Sequence, residues 1–325
     1  MIGIAGLTLL AGVLWVLFFT PYPFVWLLRS KKEEPRDKGR ADLGDIEEGM
    51  IIRKGLRYGS SYPNATYDLY YKPNRVAKRV VIWVHGGSFI SGSSIGTRNF
   101  GPLLVEKDTI FCAINYALAP RHHFPVQLIQ IDEFLNALPG LLDMEKLKMP
   151  TAVYLGGDSA GANLAATYTC MKTNQTLAKE SGIEIQAASK IQGLLLYCGP
   201  YDFCEHLSNP KLKKFRTMFK YLGWAYLGRK HWQKRKEKYL ASPYHQITEA
   251  YPPTYLCDGN KYSFLWQGKK LAEKLKEKHI PVKTRFYEEL PHEFQFEYIK
   301  YPKEAMQVLE DTITFMEDME RKLLC

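Results

Sequence analysis

The chain has 325 residues, 46% of them hydrophobic and 24% charged, and a net charge of +10. These are the proportions of an ordinary globular protein, with room for one large α/β domain and an appendage. The six cysteines (Cys112, Cys170, Cys198, Cys204, Cys257 and Cys325) stand far apart, without CxxC or metal-ligand spacing, so they read as buried free thiols, not as a disulfide framework or a zinc site. No internal repeat is visible, and no nucleic-acid-binding motif accompanies the positive charge, which argues against nucleic acid as a partner.

Residues 2–20 contain no charge. As a helix they would extend about 28 Å, close to the ~30 Å hydrocarbon core of a bilayer. Aromatic residues Tyr22, Phe24 and Trp26 follow, then Arg29, Lys31 and Lys32, the pattern of a membrane-helix end. No lysine or arginine precedes the apolar run and no A-x-A site follows it, so an uncleaved single-pass anchor over residues 1–29 is expected in preference to a signal peptide. Cations on the C-terminal side predict that the main domain lies on the cytoplasmic face. The sequons at Asn64 and Asn174 would matter only for a lumenal domain. Residues 30–49 are polar and of mixed charge, with Pro35 and Gly39, and read as a tether outside the core. The domain proper is expected over residues 50–325.

Residues 50–58 and 65–71 look like edge strands about a Gly/Ser/Pro/Asn turn. Arg79–Val84, RVVIWV, is apolar nearly throughout, as for a strand buried on both faces. It runs into His85-Gly86-Gly87-Ser88-Phe89, where small residues let backbone N–H groups, those of Gly87 and Ser88, approach a bound carbonyl. Another buried strand is predicted over 108–115, then a Pro-rich loop in which His122 and His123 read as a solvated pair, then a helix over 126–138. Residues 151–156 form a short buried strand, Gly157-Asp158-Ser159-Ala160-Gly161 fits G-x-S-x-G, and the run from Ala160 to Cys170 is a good helix former. Strand, sharp turn and helix make the context of a nucleophile elbow. The glycines leave room for the turn. Ser159 is expected exposed at its tip, with the Ala160 N–H free for an oxyanion near the positive end of the helix dipole.

HGGSF, YALAP-x4-P and GDSAGANLA, in this order and spacing over roughly Arg79 to His292, resemble the α/β-hydrolase superfamily, in particular the branch of hormone-sensitive-lipase-like and arylacetamide-deacetylase-like esterases. The resemblance implies an α/β fold with a mostly parallel eight-stranded sheet, helices on both faces, and hydrolysis of carboxylic esters by a serine nucleophile without a cofactor. Ser88 stands where the family's loop usually has a further glycine; a backbone donor survives that change.

The second half continues with a buried strand over 191–197 and the loop Cys198-Gly199-Pro200-Tyr201-Asp202. Composition then shifts: residues 211–238 hold eleven cations against one acid, Glu237, with aromatic residues between them. A helical lid over about 203–240 is expected, either a solvated basic helix pair or a cover for an acyl pocket whose cations face anionic lipid. Asp258 falls on the first position of the family's D-P-L-x-D, with Gly259 and Asn260 replacing Pro-Leu and Tyr262 the second aspartate. It is the expected triad acid, with Glu288 and Glu289 in reserve. A helix over 266–278, a last strand over 281–287, His292 on the following loop and a closing helix over 301–324 complete the chain. Ser159, Asp258, His292 is the order this fold uses. The expected reaction is attack of Ser159 on an ester, with His292 as base and Gly87, Ser88 and Ala160 holding the oxyanion. An amidase or peptidase, a catalytically silent binding protein and a membrane-anchored interaction protein are the rival classes.

Overall fold

The structure is a computed structural model that describes residues 2–29, 34–36, 43–205 and 215–322. Ahead of the sheet come α1 (Ile2–Phe19), α2 (Tyr22–Arg29) and α3 (Leu43–Glu47). There follow β1 (Ile51–Arg57), β2 (Thr66–Tyr71), β3 (Arg79–Val84), α4 (Gly101–Val105), β4 (Thr109–Ile114), α5 (Val126–Met144), β5 (Ala152–Asp158), α6 (Ala160–Thr173), α7 (Gln175–Glu180) and β6 (Gly193–Tyr197). The chain closes with α8 (Arg216–Leu227), α9 (Glu237–Leu240), β7 (Thr254–Lys261), α10 (Leu265–Glu277), β8 (Val282–Pro291) and α11 (Pro302–Arg321).

Among the described residues, eight strands form one sheet in the order β1-β2-β4-β3-β5-β6-β7-β8. The β1/β2 and β2/β4 pairs are antiparallel and the others parallel, so the expected mostly parallel sheet is present. Alternation along β3 explains the layers. Val80, Ile82 and Val84 join the core shared with α5, α6 and α10; Val81 and Trp83 join the opposite one, shared with α4 and α11. A strand buried on both faces must be apolar at every position, and RVVIWV is, apart from Arg79, whose guanidinium meets Glu320 at 2.6 Å.

The parallel register brings strand ends together. Val84 lies opposite Gly157, Asp158 opposite Tyr197, and Tyr197 opposite Cys257, so the loops after β3, β5 and β7 open on one edge, where ligands of open α/β sheets bind. The last strand is longer than the sequence suggests. β7 and β8 continue pairing past the sheet, Asp258 with Phe286 and Lys261 with Pro291, which delivers residue 292 to the same edge.

Four expectations need correction. Helix α5 runs through Pro139 to Met144: burial of Leu141 and Leu142 outweighs the hydrogen bond that the proline removes. No single helix among the described residues is long and apolar enough to cross a membrane; Leu10–Phe19 and Tyr22–Arg29 meet that test only together, bent by 77°. The bend falls at Pro21, whose ring cannot continue α1. Helix α2 then lies on the domain. Val25 is fully buried among Ile90, Ala119, Leu222 and Ala225, and Arg29 donates to the carbonyls of Ile90 (2.5 Å) and Ala119 (2.7 Å). Nor is the segment over 30–49 only a tether: Ile46 packs on the core and Arg36 reaches into the domain. His123 is half-buried, not a solvated loop residue, with Nδ1 2.8 Å from the Ala225 carbonyl of α8.

Cys112, Cys170, Cys198 and Cys257 are buried thiols and Cys204 is half-buried; Cys325, Lys211, Lys213 and Lys214 lie outside the described residues. Of the segment expected to form a lid, the described residues include α8 and α9.

Candidate active site

Gly157, Asp158, Ser159, Ala160 and Gly161 turn β5 into α6. Ser159 has φ 52° and ψ −117°, a sparsely populated region for a residue with a side chain. The turn is held from both sides: Ser159 N–H donates to the Tyr197 carbonyl at 2.8 Å, and α6 presses on β3. A Cβ on Gly157 would lie 2.5 Å from the Gly161 carbonyl carbon, and one on Gly161 1.9 Å from the Val84 oxygen. Only glycine fits at either flank.

His292, directly after β8, faces this turn. Its Nε2 lies 3.0 Å from Ser159 Oγ, and the His292 backbone N–H donates to the Lys261 carbonyl at 3.0 Å. Burial pushes the imidazole down to about 4, with Arg36 adding to the depression and Asp158 opposing it. The ring is therefore neutral at neutral pH, as a proton acceptor must be.

Asp258 is buried at the end of β7, but it does not touch His292. The Ser263 hydroxyl stands between them: it donates to Asp258 Oδ1 at 2.5 Å, and its Oγ is 2.6 Å from His292 Nδ1. The other carboxylate oxygen accepts the Phe264 N–H at 3.1 Å. Burial drives the Asp258 carboxyl well up, against the pull of Ser263 and of the Gly259 and Phe264 amides. The reserve acids are elsewhere. Glu288 is exposed and engages Asn260 and Lys269, and Glu289 is exposed beside Lys261.

The loop after β3 wraps beside Ser159. Gly87, Ser88 and Phe89 all have positive φ (109°, 57° and 67°), and the loop closes on itself through Ile90 and Ser91 N–H to the Gly87 carbonyl at 3.1 and 3.0 Å. Among the described residues, the N–H groups of Gly87, Ser88 and Ala160 donate to no protein acceptor. Ser88 and Ala160 line the same chamber as Ser159, and free donors beside a hydroxyl can hold a developing negative charge. His85 supports the loop from below, stacked on Tyr116 at 4.2 Å with Nδ1 2.6 Å from the Gly86 carbonyl.

Asp158 braces the elbow. It accepts Trp83 Nε1–H at 2.8 Å and Gly86 N–H at 3.2 Å. Arg36 spans it and Glu293, at 3.3 and 2.9 Å, and lies over the Phe296 ring at 4.5 Å. Burial raises the Asp158 carboxyl and Arg36 opposes the rise. Ser159, His292, Ser88 and Ala160 line one chamber, and Asp258 stands one residue removed from the imidazole, while Glu288 and Glu289 lie apart. The site adds Ser263 and Arg36, which the sequence reading missed.

A chamber of about 150 Å³ opens at Ser159. Phe89, Phe203, Leu222, Trp232 and Phe264 line it, with Met218 and Phe219 of α8 closing the outer wall. Two groups of potential metal donors occur among the described residues. One, Cys198, His292 and Glu293, is part of this site; the other is Asp202, Cys204 and His245, of which Asp202 and His245 already pair at 3.1 Å.

Similarity to known proteins agrees with this geometry. Residues 81–296 match a family described as having the alpha/beta hydrolase fold. Arylacetamide deacetylase-like 2 of Homo sapiens is 36% identical over 141 residues, 40% of this chain and 32% of that one. The chain thus matches about a third of the length of that relative. An esterase of Acinetobacter venetianus is 24% identical over 77% of this chain and 78% of its own. In structure, esterase B of Lactobacillus rhamnosis superposes with a TM-score of 0.70 at 18% identity, covering 99% of this chain and 98% of that one, which speaks for the fold. Sheet order, elbow and a family match across most of the domain lead to one assignment: the chain belongs to the family with the alpha/beta hydrolase fold.

Proposed function

We propose that the chain is a serine esterase that cleaves carboxylic esters with short acyl or aryl groups through an acyl-enzyme. The observation that carries this is the 3.0 Å approach of His292 Nε2 to Ser159 Oγ at the tip of the elbow, with Ser88 and Ala160, whose N–H groups meet no acceptor among the described residues, lining the same chamber. In this mechanism His292 takes the Ser159 proton as Oγ attacks the ester carbonyl, and the N–H groups of Gly87, Ser88 and Ala160 hold the oxyanion. The imidazolium then gives its proton to the departing alcohol, and water, activated by the same ring, resolves the acyl-enzyme. Asp258 is the acid that keeps the ring in the right tautomer. The size of the acyl group follows from the chamber: about 150 Å³ is the volume of an apolar cavity that accepts benzene.

The N-terminal helices serve as the membrane attachment in this reading. Trp15, Phe18, Phe19, Trp26 and Leu27 are all more than half exposed, and Lys230 lies beside them, its Nζ bonded to the Phe18 carbonyl and over the Phe19 ring. Exposed aromatic side chains flanked by a cation suit the boundary between acyl chains and headgroups, and the cations after residue 28 favour the cytoplasmic face.

The test is labelling by an active-site fluorophosphonate, alongside turnover of p-nitrophenyl acetate and butyrate. Wild type labels and Ser159→Ala and His292→Ala do not. Wild-type protein that fails to label while a control esterase does would favour a silent binding protein, and preferential cleavage of the matching anilides would favour an amidase.

A further inference from the structure

We propose that Ser263 is a positioning residue that transmits Asp258 to His292, so that the site works as a four-membered chain, Asp258–Ser263–His292–Ser159. This rests on the esterase reading above and deepens it.

The argument is one of donors and acceptors. Burial raises the Asp258 carboxyl, but the Ser263 hydroxyl, at 2.5 Å, and the Phe264 N–H, at 3.1 Å, meet its two oxygens as donors and pull the other way; in the ionised form that these donors favour, the carboxylate can only accept. Ser263 has one proton, and it goes to Oδ1. Toward His292 the same oxygen has only lone pairs to offer, so at 2.6 Å it must accept, and the ring must carry its proton on Nδ1. That leaves the Nε2 lone pair facing Ser159 Oγ at 3.0 Å. Each partner in the chain is thereby directed. The hydroxyl selects the tautomer that a triad acid would otherwise select by direct contact.

The fold gives a reason for the interposed residue. Tyr262 has φ 57°, a left-handed turn that lifts the chain off β7 and returns it as Ser263 and Phe264 at the start of α10. Asp258 sits beneath that return, with the N-terminus of α10 above it, where negative charge is favoured. Ser263 is 5% exposed, so bulk water does not compete for its hydroxyl. The chain moves no extra proton in this role: when Ser159 attacks, the proton passes to Nε2, and the Nδ1–H···Oγ–H···carboxylate order is unchanged.

The test is a double-mutant cycle on the full chain. Ser263→Ala is expected to lower kcat for p-nitrophenyl butyrate and the fluorophosphonate labelling rate by at least ~10²-fold, approaching the ~10⁴-fold seen when a triad histidine takes the wrong tautomer. KM should change far less than kcat, within about twofold, because the hydroxyl is engaged by Asp258 and the imidazole. Ser263→Thr keeps the hydroxyl and should restore most of kcat. Asp258→Asn should add little in the Ser263→Ala background, because Asp258 reaches the ring only through that oxygen. Wild-type kcat in Ser263→Ala, or losses from the two substitutions that multiply fully, would overturn the relay while leaving the esterase reading intact. Failure of wild type itself to label would instead remove that reading.

Discussion

Gly161→Ala measures how tightly the elbow is held. The added Cβ would meet the Val84 oxygen at 1.9 Å, and ordinary contact begins at 3.4 Å, so α6 or β3 must retreat by about 1.5 Å (3.4 − 1.9). Neither yields easily: Val84 is fully buried between two neighbouring strands, and α6 is buried from Ala160 to Met171. Overpacking of this kind costs ~1–3 kcal/mol, a loss of a few degrees in Tm at about 1.5 °C per kcal/mol, from an unfolding entropy of ~2.1 cal/mol/K per residue. The effect on activity is larger. A shift of that size in α6 displaces Ser159 from His292, and a misplacement of ~1 Å costs ~10²-fold in rate. The assay pairs thermal melting with the rate of fluorophosphonate labelling. Gly140→Ala is the control: it lies in α5 with no heavy atom within 4 Å of the new Cβ and should be neutral or stabilising by up to ~1 kcal/mol. A Gly161→Ala protein with wild-type Tm and labelling rate would refute the reasoning, since the elbow would then have slack that the distances deny it.

Three further outcomes follow from the charges. With His292 pushed down from 6.5 to about 4 by burial, the base stays neutral in mild acid, so kcat/KM should remain flat as pH falls through 6.5 and decline only near 4; a decline centred at 6.5 would contradict this. Arg36→Met leaves the buried Asp158 and its neighbour Glu293 without their shared cation, and chemical denaturation should register a loss on the order of 3 kcal/mol, relieved when Asp158→Asn and Glu293→Gln are added. His245 is raised to about 10, chiefly by its hydrogen bond to Asp202. Its contribution is complete below the unfolded value of 6.5 and disappears as pH rises through 10, so His245→Gln should lower Tm modestly at pH 6 and not at pH 11.

Much of the architecture could be read directly because it rests on local signals. β3, β4 and β6 are short apolar runs bounded by turn residues, and the elbow follows a glycine pattern whose steric reason is visible in five residues. His292 was legible from its place after the final strand. Ser263 was not, because its role needs the left-handed turn at Tyr262 and the extended β7/β8 pairing, neither of which leaves a mark on the residue itself. Arg36 was hidden for a related reason: a lone cation in a polar stretch gives no sign that its partner lies 122 positions away. The Thr20–Pro21 break was the opposite case. The proline was in plain view, but the apolar run before it and the cations after it suggested a continuous span.

Leu222 is shared by two neighbours: it lines the chamber and also packs in the cluster around Val25 of α2. An acyl chain too long for the space available would press on α8, which also packs against Val25 of α2. Chain-length preference would then behave as a spring balance, with the N-terminal helix setting its stiffness, and substitutions at Val25, far from the reacting atoms, would retune which esters are accepted.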